Sequence, residues 1–476
     1  MSQGLSDTQI ARLEQLLGAT RTMTDPTSLA NYEVDGARPA AAVRAADAGE
    51  VAEILRVAAA EKLAVIPCSG RSKLGIGGVP ARYDVALDLS ALNRVLSYDP
   101  GDLTLGVEPG VRIDDLQREL AQHGQFLPLE VAFSNRATVG GIIATNAYSP
   151  LRAHFGSARD FVLGMEFVTG LGEIAKSGGR VVKNVTGYDL HKLLIGSLGT
   201  LAAITRVNFR TFPMPAERRV FVASFAAADS ALEFCSEIAK SPLEPRVLEL
   251  LNPEAANISG ISPRGEGEMR AWRVVISAAG SAALVERHAR DLERLSREAH
   301  AARFETFGDA EAARSLQGVR EFVRMALEHA ADTTIMRVPV VPPLGGMVAR
   351  RLAAIADARG LNAALMMGTA GLAQVALWPR AEKRSEASSA PTDDDAWNSA
   401  ADRFAPALAS AVNEILLAAS SDGGPARGFV EWCPSAVKRH ISLWGGARED
   451  FALMQHVKHI FDPHGVLAPG RFCEGL

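Results

Sequence analysis

The sequence predicts an α+β protein in two parts, the second built on an antiparallel sheet. Strand-period and helix-period apolar patterns alternate from residue 39 to residue 213. Two stretches in that region, residues 67–78 and 134–160, carry glycines and short hydrogen-bonding side chains in place of a core pattern. After Pro213 and Pro215 an order of strand, helix, strand, strand, helix, strand occurs twice.

The 476 residues suffice for two or three domains of ~100–200 residues. Hydrophobic residues at 47% and charged residues at 22% fit a globular protein rather than a disordered one. A net charge of −5 without a sustained Lys or Arg run argues against nucleic acid as the main partner. No apolar run approaches ~18 residues, so no transmembrane segment is expected. Ser6 to Gln9 read as a capping box before the stripe Ile10, Leu13, Leu16 and Leu17, with Arg12 and Glu14 interrupting any signal-peptide core. Cys68, Cys235, Cys433 and Cys473 form no C-x-x-C pair, which predicts neither a disulfide framework nor an iron–sulfur site and suggests a reducing, cytoplasmic setting.

From Pro39, AAAVRA reads as a strand, and Asp47 and Glu50 bracket the start of a helix with Val51, Ile54, Leu55 and Ala58 on one face. LAVIP then runs into CSGRSKLGIGG. With four glycines in twelve residues, this loop has the composition of a nest of N–H groups around a phosphate, or else of a bare glycine turn. It completes neither a Walker loop nor G-x-G-x-x-G, so nucleoside triphosphatase and nicotinamide Rossmann readings lose their support. Val85, Leu87 and Leu89 follow at strand period, then LTLGVEPGV, a helix through Ile113, Leu116 and Leu120 ended by Gly124, and the short FLPLE. In residues 134–160, Gly140 and Gly141 allow close approach to their peptide groups, and Thr138, Thr145, Asn146 and Ser157 line the same path. A long dinucleotide suits that path, and a turn between strands is the alternative. FVLGMEFVTGLGEI reads as two strands joined at Thr169 to Gly172, and a closing segment places Gly187, Tyr188 and Asp189 before a helix and Ile204 on a last strand.

Taken in order, PCSGRS, ATVGG, ATN, FGSARDFVLGMEFV, GGRVVKNVTGYDL and LLIGSLGTLAAIT resemble the two-subdomain, PCMH-type FAD-binding domain of the vanillyl-alcohol oxidase flavoprotein superfamily, and within it the E-subunit family of glycolate oxidases. The resemblance implies an FAD-binding domain over residues 39–213, after an N-terminal helix and lead-in at 1–38. A cap or substrate domain over 214–449 and a C-terminal segment at 450–476 returning to the FAD domain complete it. It implies that Pro67, Cys68, Ser69, Gly70, Arg71, Ser72 and Lys73 wrap the pyrophosphate, with Pro109 and Gly110 lining the cleft. Thr138, Gly140, Gly141 and Asn146 would continue along the flavin, with Gly156 and Ser157 behind them and Ile204 near the adenine end. Arg71 has a second reading, a pair with a surface carboxylate worth at most about 1 kcal/mol. Members that hold flavin covalently often use a histidine in the first glycine loop; none is present, so FAD is expected to be non-covalent. Tyr148 and Ser149 stand where relatives commonly reach a glycine, which leaves the ring environment there open.

In the second half the first series is RVFVASF, ADSALEFCSEIAK, RVLELL, AWRVVISAAG, a helix from Ser281 and ARFETF. A helix over 309–329 separates it from DTTIMRVPVV, a helix through Arg350 and Leu352, NAALMM, LAQVALW, a helix over 397–419 and GFVEWC. Residues 379–395, charged and Ser-rich, read as a mobile loop. His456 and His459 lie one helical turn apart, as a metal pair would, but without an evident third ligand a structural or solvated role is favoured and no metal is expected.

Oxidation of a 2-hydroxy acid by flavin needs a base near the hydroxyl and a cation on the carboxylate. The H-x-G-D-G-N-x-H signature of metal-using superfamily members is absent. Arg337, in the apolar strand TIMRVPV, is the leading candidate cation; Glu249 in RVLELL is its favoured partner if the pair is structural. Tyr148 and His154 are further catalytic candidates, each with a structural hydrogen bond as the alternative. The resemblance implies the FAD-binding subunit of a glycolate oxidase complex, oxidising glycolate to glyoxylate beside a sister flavin subunit and an iron–sulfur subunit. That places it in the cytoplasm or peripherally at the inner face of the membrane. A self-sufficient FAD-dependent 2-hydroxy-acid dehydrogenase and a flavin-free scaffold are the alternatives.

Overall fold

The computed structural model describes residues 5–180, 187–261, 270–330, 332–340, 344–369, 371–380, 395–418, 428–445 and 449–476. The segment 181–186 and most of the stretch read as a mobile loop, 381–394, lie outside the described residues. The chain divides into two units, one of residues 1–149, 156–214 and 447–476, the other of 150–155 and 215–446.

The first unit holds two sheets. β1 (Thr22–Met23), β2 (Ala41–Arg44), β3 (Val65–Cys68) and β4 (Val85–Asp88) lie in the order β1-β2-β4-β3, with β2, β4 and β3 parallel. Parallel strands require crossovers, and between β2 and β3 it is the helix Ala48–Glu61, whose N-cap Asp47 side chain accepts the Glu50 N–H. Its Val51, Ile54, Leu55 and Ala58 are buried with Leu13 and Leu17 of the capped first helix. The second sheet is antiparallel, with the order β5-β6-β10-β8-β9. It joins β5 (Val95–Asp99), β6 (Thr104–Val107) and, after the short β7 (Gln125–Phe126), β8 (Val162–Thr169), β9 (Ile174–Gly178) and β10 (Ala202–Arg210). β7 pairs with β11 (Phe212–Pro213). Helices Ile113–Ala121 and Val139–Thr145 bury Leu116, Leu120, Ile142 and Ile143 in the core of this second sheet.

The second unit is built on one eight-stranded sheet: β12 (Glu217–Phe225), β13 (Val247–Leu251), β14 (Trp272–Gly280), β15 (Arg303–Phe307), β16 (Thr334–Pro339), β17 (Leu361–Gly368), β18 (Leu372–Pro379) and β19 (Phe429–Trp432). Its order, β15-β12-β14-β13-β17-β18-β16-β19, is one four-strand arrangement followed by its reverse. The two sequence series therefore form two like halves, joined by β13 and β17 over three residue pairs, Glu249 with Gly368, Leu250 with Met367 and Leu251 with Met366. Helices Ala228–Lys240, Ala282–Glu298, Gly345–Ala358 and Asp395–Ala418 supply Phe234, Leu292, Leu352 and Val412 to the main core. The helix expected over 309–329 is two, Asp309–Arg320 and Phe322–His329. At the break, buried Glu321 takes φ −92° and ψ 9° while its carboxylate holds Arg320 and Arg324.

Candidate functional site: a polar cleft in the first unit

The loop after β3 meets the start of the helix Val139–Thr145. Ser69 Oγ lies 2.5 Å from Thr138 Oγ1, to which the Gly70 N–H also donates at 3.3 Å. Gly70 is required by this meeting, because a Cβ there would run into the Arg136 carbonyl. Gly110 closes the adjoining turn with its N–H on Leu92 O at 2.7 Å, and a Cβ would sit 2.6–2.8 Å from the carbonyls of Leu92, Leu89 and Ser90. Between these loops is a cleft of ≈630 Å³ walled by Ser69, Gly70, Arg71, Gly110 and Thr138, together with Asn31, Ser90, Asn93, Arg112, Asn135, Arg136 and others.

Arg71 has φ +53°, a left-handed turn that aims its side chain back along the strand end. Its guanidinium lies over the Tyr32 ring, 4.8 Å from the centroid, and donates to Asp88 Oδ2 at 3.2 Å. Asp88, fully buried, also accepts from Tyr32 OH at 2.7 Å, the Ser90 N–H at 2.9 Å and Arg44 at 3.4 Å. The surface carboxylate considered from the sequence is thus a buried one. Burial first, and the Asp88 carboxylate second, push the Tyr32 phenol up to about 12. Two arginines share one carboxylate, so positive charge remains at the cleft. Among the described residues the N–H groups of Arg71, on the cleft wall, and of Ser72, the residue next to it, find no acceptor. Free N–H groups beside a fixed cation are the donor set a diphosphate takes up. The donor set therefore fits the pyrophosphate of FAD, a cofactor that accepts two electrons from substrate when bound.

The far end of the chain holds this loop in place. Val65 N–H donates to Val466 O and Ala468 N–H to Val65 O, adding residues 466–468 to the sheet edge. The buried Arg471 guanidinium donates to the carbonyls of Leu74, Ile76 and Gly78 and reaches Asp35 at 3.4 Å. Gly78 N–H returns a bond to Arg471 O at 3.0 Å. Upstream, Lys458 Nζ bonds Asp462 Oδ2 (2.6 Å), Thr200 O (2.7 Å) and Leu467 O (2.9 Å). His456 and His459 of the same helix are exposed.

Several residues selected from the sequence are not on the cleft wall: Pro67, Cys68, Ser72, Lys73, Pro109, Gly140, Gly141, Asn146, Gly156, Ser157 and Ile204. Cys68 is buried in β3, and that burial pushes its thiol well up. Gly140 donates to Pro109 O at 2.8 Å and a Cβ would meet the Pro109 ring at 2.7 Å, so its bare backbone serves packing of the two loops. Ser157 caps a one-turn helix with Asp160 (N–H to Oδ2 2.7 Å), and Asn146 ends the helix Val139–Thr145 in a left-handed turn. Ile204 is buried on β10, next to a bulge. Arg136 and Asn135 went unselected although they lie inside 134–160; Asp88, ending an all-apolar strand, was the readable signal for a buried carboxylate.

Tyr148 is buried, and Ser149 Oγ donates to Pro128 O at 3.1 Å. His154 belongs to the second unit, its ring edge-on to Phe155 with centroids 4.6 Å apart. Loss of water first, and the Arg246 charge next, hold His154 below its ordinary value against the opposing pull of Glu244. Arg337 is buried on β16, and its partner is Glu431 on neighbouring β19, with Nε to Oε2 at 2.8 Å and Nη2 to Oε1 closing a second bond. Glu249 is excluded as that partner because β17 and β18 lie between β13 and β16. Phe429 backs the guanidinium at 5.1 Å.

The description "FAD binding domain" matches residues 39–178, and "FAD linked oxidases, C-terminal domain" matches 214–392 and 439–472. The chain is 27% identical to the D-2-hydroxyglutarate dehydrogenase of Xanthomonas citri pv. viticola, over 99% of this chain and 98% of that one. It is 28% identical to glycolate oxidase subunit GlcD of Bacillus subtilis, over 64% of this chain and 65% of that one. With glycolate oxidase subunit GlcE of Escherichia coli the identity is 34%, over 40% of this chain and 53% of that one, so the E subunit is one relative among several. The fold matches that of p-cresol methylhydroxylase with substrate bound, at a TM-score of 0.76 and 17% identity, over 99% of this chain and 98% of that one. A cleft with a phosphate-type donor set in the first unit, an antiparallel sheet in the second and the two domain matches together make the chain an FAD-linked oxidoreductase, with FAD as cofactor and hydroxy-acid dehydrogenases among its relatives.

Proposed function

We propose that the chain is the FAD-binding subunit of a glycolate oxidase-type complex, oxidising glycolate to glyoxylate and passing electrons through the flavin to an iron–sulfur partner. The observation that carries the flavin assignment is the cleft where Arg71, fixed by Asp88 and Tyr32, stands beside N–H groups with no protein acceptor among the described residues. In this reading Ser69 to Lys73 hold the pyrophosphate, Gly110 and Thr138 bound it, and the segment through Asn146 follows the flavin. No histidine occurs in residues 67–78, so the cofactor is held without a covalent bond. The glycolate assignment is supported by the two glycolate oxidase subunits among the relatives. No helix among the described residues is long and apolar enough to cross a membrane, and we place the chain in the cytoplasm, or at the inner face of the membrane through its complex.

The match to a D-2-hydroxyglutarate dehydrogenase over nearly the whole of both chains favours a second reading, a self-sufficient FAD-dependent 2-hydroxy-acid dehydrogenase. The two separate when purified holoprotein is mixed anaerobically with glycolate, D-lactate or D-2-hydroxyglutarate and an artificial acceptor. The subunit reading expects slow flavin bleaching that a sister flavin subunit accelerates; brisk bleaching by the chain alone sinks it. FAD at ~100 times its dissociation constant should stabilise the protein by roughly 2.7 kcal/mol, and an unmoved melting temperature would remove the cofactor site.

A further inference from the structure

Arg246 stands at the entrance to β13, its N–H on Ser277 O of β14 at 2.7 Å. Its guanidinium carbon lies over the Phe155 ring, 5.3 Å from the centroid, and His154 meets the same ring edge-on. The residue is half-buried, its Nε is shut off from solvent, and among the described residues that nitrogen has no hydrogen-bond partner. No carboxylate pairs with the guanidinium among the described residues, whereas in the same unit Arg219 pairs with Glu286, Arg350 with Asp229 and Arg337 with Glu431. Burial first, and the like charge of Arg218 second, push the guanidinium below its ordinary value. His154 feels Arg246 in the same sense, against the pull of Glu244.

A half-buried cation without an acceptor is costly, and a second cation beside it raises that cost. An aromatic ring under the guanidinium plane offsets part of it and leaves the N–H edges pointing outward. Those edges form a planar fork that matches the two oxygens of a carboxylate. We propose that Arg246, stacked on the Phe155 ring that also meets His154, binds a small organic carboxylate. The proposal concerns binding alone and stands apart from the flavin reading, although a hydroxy acid belongs to the same chemical class. Two unrelated stretches of the unit, 150–155 and the segment leading into β13, build the site together, which a solvated surface arginine does not require.

The test uses the full chain with sodium glutarate as carboxylate probe and sodium phosphate at matched ionic strength as the other arm. Glutarate should raise the wild-type melting temperature saturably and move the His154 ring resonances with the same midpoint. In Arg246→Gln the glutarate affinity should fall roughly tenfold or more, the loss of a charge-assisted pair of hydrogen bonds. Absence of a saturable glutarate effect, unmoved His154 resonances or equal binding by Arg246→Gln overturns the proposal. Tighter binding of phosphate than of glutarate overturns the carboxylate assignment. If Arg246→Gln fails to fold, the His154 titration of the wild-type chain still decides.

Discussion

Replacing Arg471 by methionine should loosen the cofactor loop from behind. Arg471 is 4% exposed, and the acceptors of its guanidinium are the carbonyls of Leu74, Ile76 and Gly78 and the Asp35 carboxylate, itself largely buried. Methionine fills similar space but leaves a carboxylate and carbonyls without their donor. Breaking a buried pair from one side costs about 3–5 kcal/mol. For a unit of this size each kcal/mol moves the melting temperature by ~2–4 °C, so calorimetry of the apoprotein should show a drop of roughly 6–20 °C. The residues it clamps, 74–78, continue directly from Ser69 to Lys73, so FAD affinity measured by flavin fluorescence should fall by roughly tenfold or more, a difference of about 1.4 kcal/mol or greater. Arg471→Lys should recover the ion pair with Asp35 but not the grip on three carbonyls, and so retain stability better than FAD affinity. An Arg471→Met protein with unchanged melting and unchanged FAD affinity would refute the role assigned to the C-terminal clamp.

Gly140→Ala would place a methyl 2.7 Å from the Pro109 ring; it should destabilise by about 1–3 kcal/mol and weaken FAD binding, and an unaltered urea midpoint would contradict the packing role. Arg337→Met or Glu431→Leu alone should each cost about 3–5 kcal/mol, whereas the double variant should lose less than either, as read by a double-mutant cycle; additive losses would argue against a coupled pair. His191 is buried with Nδ1 3.0 Å from Ser177 Oγ, and burial, acting against the nearby Asp189, holds it below its ordinary value. The unfolded chain then binds the extra proton first, so its contribution is intact above about pH 6.5 and is lost as the pH falls below that. His191→Gln should flatten part of the fall in urea midpoint between roughly pH 7 and 5.5, and an identical fall in both proteins would refute the assignment.

The α+β class, the two glycine loops and the doubled strand–helix order were legible because each rests on local periodicity or on turn chemistry. The Arg337 partner was not legible. Glu431 lies 94 residues downstream, and the strand order that sets β19 beside β16 leaves no trace in spacing. Glu249 looked suitable only because it occupies an equally apolar strand. Gly140 was read as a place where a ligand approaches the backbone, and the atoms that approach it in the fold are those of Pro109, a distinction that composition does not carry. Residues 150–155 were read as part of the flavin segment and instead group with the second unit, so the setting of His154 depends on Arg246, nearly a hundred residues away.

The stitching of residues 466–471 into the first sheet has a consequence for biosynthesis. Every residue of the cleft wall has been made by position 138, yet the segments that complete the sheet edge and clamp the loop are made about 330 residues later, from position 466. At roughly 5–20 residues per second that interval is on the order of tens of seconds. The nascent first unit spends it with an open β3 edge, during which the doubled sheet of the second unit can form. Cofactor capture should therefore follow synthesis of residues 466–471, and ribosome-bound chains stalled before residue 466 should retain little flavin.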